Sequence, residues 1–265
     1  MVQNMWFQFK DAYKIEDLRR IMELLRGENG CPWDREQNHK SIRVNLLEEA
    51  YEAADAIDRG SNADLCEELG DVLLQVVFHA RMAEEEGSFT LDDVADGICK
   101  KLILRHPHIF GDVTVSGSTE VLDNWDRIKR VEKQQETALA TLESVPKAFP
   151  ALMRAQKVGK RASKAGFDWD AADGAFDKIA EETDELRVAM ASGEREKMAE
   201  ELGDLLFSVV NVARFLKVDA EDALQSATDK FISRFGKVER LASERGLDME
   251  TAGLAALDCL WNEVK

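Results

Sequence analysis

The chain is poor in the residues that interrupt helices or cross-link chains. Four prolines and sixteen glycines in 265 residues leave long stretches free to stay helical. Only four cysteines occur, Cys31, Cys66, Cys99 and Cys259, with no C-x-x-C and no close Cys/His pairing. This scarcity excludes a disulfide framework and reads as reduced thiols in a cytoplasmic protein. Long apolar runs are also missing. The longest, Val72 to Ala80, is broken by Gln75 and His79 and is too short to span a bilayer. Residues Met1 to Lys10 lack the apolar core of a signal peptide. Basic residues are outnumbered 52 to 35 by acidic ones, for a formal net charge of −17. A nucleic-acid polymer is therefore a poor partner, and no membrane association is expected. A small phosphate ligand stays possible, because a bound metal ion reverses the sign of an acidic site.

What the chain has is a repeat. E-E-x-x-E is followed, sixteen residues after its last Glu, by E-L-G-D, and this happens twice. The first set is Glu48, Glu49, Glu52, Glu68 and Asp71; the second is Glu181, Glu182, Glu185, Glu201 and Asp204. The two superimpose at a constant offset of 133 residues, without a gap. Leu69-Gly70, Val76-Val77 and Ala80-Arg81 recur at the same offset as Leu202-Gly203, Val209-Val210 and Ala213-Arg214. Repetition at fixed spacing predicts a duplicated unit.

Apolar residues recur at helical period nearly throughout, so the fold class expected is all-α: two tandem helical-bundle domains. Ile15, Leu18, Ile21, Met22 and Leu25 form one stripe that Gly27 ends, and residues 29–32 read as a turn or loop. Further helices are expected over 41–57, 63–86, from a capped start at Thr90 to His106-Pro107, and over 120–136. Residues 110–118, with Val113, Thr114 and Val115, are the one stretch with strand character. The stripe is lost near Pro146 and Pro150, which sets the domains at 1–137 and 151–265 with a linker over 138–150. Helices are then expected over 151–165, 175–191, 194–216, 220–245 and 251–264. A lone helical hairpin cannot bury both apolar faces, so a homodimer is expected.

Residues three apart share a helix face. Glu49 with Glu52 and Glu68 with Asp71 therefore project in pairs, as do Glu182 with Glu185 and Glu201 with Asp204. Antiparallel packing of successive helices brings four carboxylates together in each half, where they repel unless a cation sits between them. All-oxygen ligands suit Mg²⁺ or Mn²⁺ rather than zinc. Gly70 and Gly203 lie between each ligand pair, where glycine serves close approach of a neighbouring helix or a ligand. One such motif alone would be a solvated helix face. A di-iron bundle would want Glu-x-x-His, which no ligand Glu here begins. Trp33 reads equally as core or as a base-stacking residue.

The motifs together resemble the MazG family of nucleoside triphosphate pyrophosphohydrolases in its two-domain bacterial form. The resemblance rests on G-C-P-W-D-x-x-Q (Gly30 to Gln37), L-L-E-E-A-Y-E (Leu46 to Glu52) and R-H-P-H-I-F-G-D (Arg105 to Asp112) in the first half. In the second it rests on P-A-L-M-R-A-Q-K (Pro150 to Lys157), G-F-D-W (Gly166 to Trp169), E-E-L-G-D-L-L-F (Glu200 to Phe207) and K-F-x-x-R-F (Lys230 to Phe235). It implies an all-α homodimer and Mg²⁺-dependent cleavage of an NTP or dNTP to the monophosphate and pyrophosphate. It also implies metal binding by Glu182, Glu185, Glu201 and Asp204, with Glu49, Glu52, Glu68 and Asp71 matching in the first half. Lys178, Lys197, Lys230, Arg234 and Trp261 match positions that contact nucleotide. A base-restricted relative of dUTP- or dCTP-cleaving type, or a non-catalytic helical regulatory module, are the alternatives.

Glu181 is the expected proton acceptor, with lysine and arginine steadying the leaving pyrophosphate. At the 133-residue offset Lys178 faces Asn45, Lys197 faces Asp64 and Asn211 faces Phe78. Lys101 and Arg105 echo Lys230 and Arg234 with a shift of four, and Arg214 repeats as Arg81. Substrate binding is thus expected at Lys178, Lys197, Asn211, Arg214, Lys230, Arg234 and Trp261, and at Trp33, Lys101 and Arg105. The first half keeps the carboxylates without their cations, so the main catalytic site is expected in the C-terminal domain.

Overall fold

The computed structural model describes residues 7–132 and 137–265, and among them it contains thirteen helices and no strand. The chain divides into two compact units, residues 1–128 and 129–265.

In the first unit, α1 (Ile15–Arg26), α3 (Arg43–Asp58), α4 (Asn62–Glu85) and α5 (Leu91–Arg105) form the body. Helix α3 packs along α4, and α1 and α5 lie on α4. Met22, Ile42, Val77, Phe78 and Met82 are buried together, flanked by Leu18, Leu25, Leu74 and Leu91. The start of α5 is a capping box: Thr90 accepts from the Asp93 amide, and Asp93 accepts from that of Thr90. Residues 29–32, expected as a loop, run into a short helix, α2 (Pro32–Glu36), because Pro32 is preset for a first helical position.

The expected strand over 110–118 is absent. Pro107 instead starts α6 (Pro107–Phe110), and Glu120 accepts from the Ser116 amide ahead of α7 (Ser118–Glu132). A single extended segment has no partner for its backbone groups in an otherwise helical unit. The expected end of α7 at Glu136 lies outside the described residues.

The second unit repeats the hairpin. Helices α10 (Ala172–Ser192) and α11 (Arg195–Phe215) pack along each other, turning at Gly193, which sits at φ +73°. Helix α9 (Ala151–Lys164) lies on α11, closely enough that a Cβ at Gly159 would stand 2.9 Å from Asn211 Oδ1. Helices α12 (Ala220–Glu244) and α13 (Leu254–Glu263) bury Val238, Ala242 and Leu260 between them. The stretch expected as a linker carries α8 (Ala138–Glu143), which docks on α9 where Arg161 donates to the Thr141 carbonyl and the Ser144 hydroxyl. Six residues ahead of Pro146 are too few to show a helical period.

Candidate metal and nucleotide site

Each hairpin delivers its carboxylates to one place. In the second unit, oxygens of Glu182, Glu201 and Asp204 lie within 4.8 Å of one another. In the first, Glu49, Glu68 and Asp71 do the same. The reason is geometric: the antiparallel helices place the E-x-x-E turn of one beside the E-x-x-D turn of the next.

The fourth carboxylate of each set stands at the edge of this group. Burial, then the neighbouring Glu182, pushes the Glu185 carboxyl above its usual range, and Glu201 adds repulsion. Burial and Glu52 do the same to Glu68; burial, Asp71 and Glu52 do it to Glu49. Crowded anions that hold protons too tightly are what a cation relieves. Three oxygens at this spacing can close onto an ion that needs oxygen ligands at about 2.1 Å. The donor set fits a hard divalent cation in both units.

The surroundings differ. Glu182 is only 5% exposed, and Lys178 Nζ stands 2.6 Å from its Oε1 and 3.0 Å from Glu181 Oε1. These two carboxylates hold the Lys178 ammonium firmly protonated, Glu182 contributing most. Glu181 itself is exposed. Beyond Glu201 opens a cleft of about 340 Å³ whose wall includes Glu185, Val188, Ser192 and Lys197. Lys197 pairs with Glu194 of its own turn at 3.0 Å.

Other expected substrate residues fall into separate groups. Asn211 is buried, donates to the Phe207 carbonyl and accepts from Arg214. Arg214 donates through both terminal nitrogens to Asp168, at 2.8 and 2.5 Å. Ten residues of helix put Arg214 about 15 Å along α11 from Asp204. This pair therefore ties the G-F-D-W loop to α11, with Asp168 of that motif as its anchor. Arg234 lies over Trp261 at 6.0 Å, beside Phe231, while Lys230 is exposed on the same helix. In the first unit Lys101 is exposed and Arg105 is buried with its guanidinium 5.7 Å from the Trp125 ring. Trp33 is 56% exposed, which removes it from the core.

No neighbouring helix forces the glycines. A Cβ at Gly70 or Gly203 would meet nothing within 4 Å. Leu69, Leu73, Leu202, Leu206 and Val209 are likewise exposed on these helices. One pairing the spacing could not reveal is His39 with His79, whose Nδ1 atoms are 2.8 Å apart on stacked rings.

The Arg214–Asp168 pair yields a pH prediction. Arg214 holds the Asp168 carboxyl below its usual range, so its stabilisation is complete above the unfolded value and disappears as pH falls through the folded one. Asp168→Asn is expected to lower the melting temperature at pH 7, with the difference from the parent closing as pH falls below the ordinary carboxylate range. Thermal scans at a series of pH values measure this; a constant difference down to pH 2 contradicts it.

Residues 37–110 and 174–238 match the MazG nucleotide pyrophosphohydrolase domain, so the carboxylates of both hairpins fall inside the matched segments. The nucleoside triphosphate pyrophosphohydrolase of Escherichia coli K12 is 47% identical over 255 residues, covering 95% of this chain and 97% of that protein. The nucleoside triphosphate pyrophosphohydrolase/pyrophosphatase MazG of Thermotoga maritima is 46% identical over 251 residues, 95% of either chain. A nucleoside triphosphate pyrophosphohydrolase of Mycolicibacterium smegmatis is 43% identical over 155 residues, 58% of this chain and 47% of its own. Two carboxylate sets, both within family segments, and full-length identity near one half make this chain an enzyme of the MazG nucleotide pyrophosphohydrolase family.

Proposed function

We propose that the protein hydrolyses nucleoside and deoxynucleoside triphosphates to the monophosphate and pyrophosphate, with Mg²⁺, at the carboxylates of the second unit. The observation that carries this reading is the combination found there: three converging carboxylate oxygens, the Lys178 ammonium beside them, and a cleft edged by Lys197.

Glu182, Glu185, Glu201 and Asp204 hold the metal, Mn²⁺ being a possible substitute. When bound, Mg²⁺ neutralises phosphate oxygens and polarises the attacked phosphorus. Lys178 orients Glu182 through the ion pair at 2.6 Å. Glu181, exposed next to that pair, takes the proton from the attacking water. Lys197 faces the cleft and meets the charge that grows on the departing pyrophosphate. Lys230, Arg234 and Trp261 add nucleotide contacts on α12 and α13, while Asn211 and Arg214 keep the 166–169 loop in place.

The protein works as a homodimer in this reading. Leu73, Leu206 and Val209 are large apolar groups left uncovered along the hairpins, and a second copy is the natural cover. No helix of the described residues is long and apolar enough to cross a membrane, and four free thiols suit a reducing cytoplasm.

A panel of NTPs and dNTPs tests the reaction. Monophosphate and pyrophosphate are expected in equal amounts, with activity lost on chelation and restored by Mg²⁺. Release of orthophosphate instead would refute the bond assigned, and one strongly preferred base would favour the restricted alternative.

A further inference from the structure

The duplication allows the cleft of the second unit to be read against the same positions of the first. Three of its residues are unchanged at the 133-residue offset: Glu185, Ala189 and Glu201 stand where the first unit has Glu52, Ala56 and Glu68. Four others change in kind, Asp184 standing at the position of Tyr51. Val188 corresponds to Asp55, Ser192 to Arg59 and Lys197 to Asp64.

The changed residues of the first unit are wired to one another. Arg59 Nε stands 2.7 Å from Asp55 Oδ2, and Arg59 Nη1 stands 2.6 Å from Asp64 Oδ2. The guanidinium thereby bridges the last turn of α3 to the first turn of α4. In the second unit the same place holds the small Ser192 hydroxyl, donated to the Ala189 carbonyl, and Lys197, whose ammonium pairs with Glu194 of its own turn and does not bridge the two helices. Asp64 also follows the ordinary rule for a helix start, an acid in the first turn, which Lys197 breaks.

From this we infer that Asp55, Arg59 and Asp64 form a clamp that closes the matching place on the first unit's hairpin to a triphosphate, so that these three positions decide which unit takes substrate. The inference rests on the proposed reaction and goes beyond it. A cation shared by two carboxylates leaves a net negative group where an anionic phosphate would enter, and the arginine side chain fills space that serine leaves open. The clamp acts through charge and volume, not through stability: exposed ion pairs of this kind contribute about 0–1 kcal/mol. Its removal therefore leaves the unit folded. The carboxylates of Glu49, Glu68 and Asp71 stay able to bind a divalent cation, because none of them belongs to the clamp.

The test uses the full chain with the second site disabled by Glu201→Gln and Asp204→Asn. Into this background Asp55→Val, Arg59→Ser and Asp64→Lys are introduced together, giving the first unit the residues of the second. Binding of a non-hydrolysable α,β-methylene nucleoside triphosphate with Mg²⁺ is followed by calorimetry. The clamp predicts at least about tenfold tighter binding in the triple variant than in its background. Unchanged or weaker binding overturns it, as does a loss with Arg59→Ser alone, which would make Arg59 a phosphate ligand. Should the triple variant lose its helical circular dichroism, Arg59→Ser decides by the same criterion. A background that still turns over substrate at the parent rate would refute the assignment of catalysis to the second unit. The change on adding the three substitutions would still judge the clamp.

Discussion

Glu201→Gln with Asp204→Asn is expected to lower Mg²⁺-dependent pyrophosphate release by about three orders of magnitude or more. The matching pair in the first unit, Glu68→Gln with Asp71→Asn, is expected to leave most of the activity. In the second unit three oxygens converge within 4.8 Å, and two of them belong to the replaced residues. Amides keep the shape but not the charge, so the metal loses its hold while the hairpin keeps its packing. Glu182 cannot compensate, since it is buried and shared with Lys178. The first unit offers the same oxygens without a lysine at either matching position, Asn45 and Asp64 standing there instead. Pyrophosphate assays on both double variants decide the matter. A larger loss from the first-unit pair would move the reaction to that unit.

Gly30→Ala is expected to destabilise the first unit by at least about 3 kcal/mol and to lower its melting temperature by about 10 °C or more. The loop after α1 folds back onto the end of that helix: the Gly30 amide donates to the Gly27 carbonyl at 2.9 Å, and the Cys31 amide to that of Leu25 at 2.7 Å. These bonds draw the backbone so close that a Cβ at position 30 would fall well inside contact with the Leu24 and Leu25 carbonyl oxygens. Backbone atoms cannot swing aside as a long side chain can. Arg26 tightens the same corner, donating to the Asp34 and Gln37 carbonyls and to Glu85. Gly97→Ala is the control. It lies inside α5 with nothing within 4 Å of its added methyl, and should stabilise by up to about 1 kcal/mol. Equal melting temperatures for the two variants would contradict the steric argument.

The carboxylate sets were legible because a helix converts sequence spacing into shared direction. Glu49 with Glu52 and Glu201 with Asp204 needed only the three-residue interval and an antiparallel neighbour. The helices of both hairpins were legible for the same reason, their ends falling within a few residues of the expected ones. Short helices escaped. Both α2 and α8 span too few residues to show a period, and the strand expected near Val113 followed composition where no partner strand exists.

Cations were harder to place than anions. Arg214 and Asn211 occupy the right helix, yet Asp168, 46 residues away, takes up the arginine. Arg59 drew no attention in the sequence because its role depends on Asp64 across a turn and on the cleft at matching positions. His39 and His79 meet across 40 residues.

The sequence alone determined the all-helical class, the duplication and the two acidic centres, since each follows from local period and fixed offset. Only the tertiary structure decided which cations face those centres. A long side chain reaches several partners from one backbone position, and the choice among them is made by what the fold brings near.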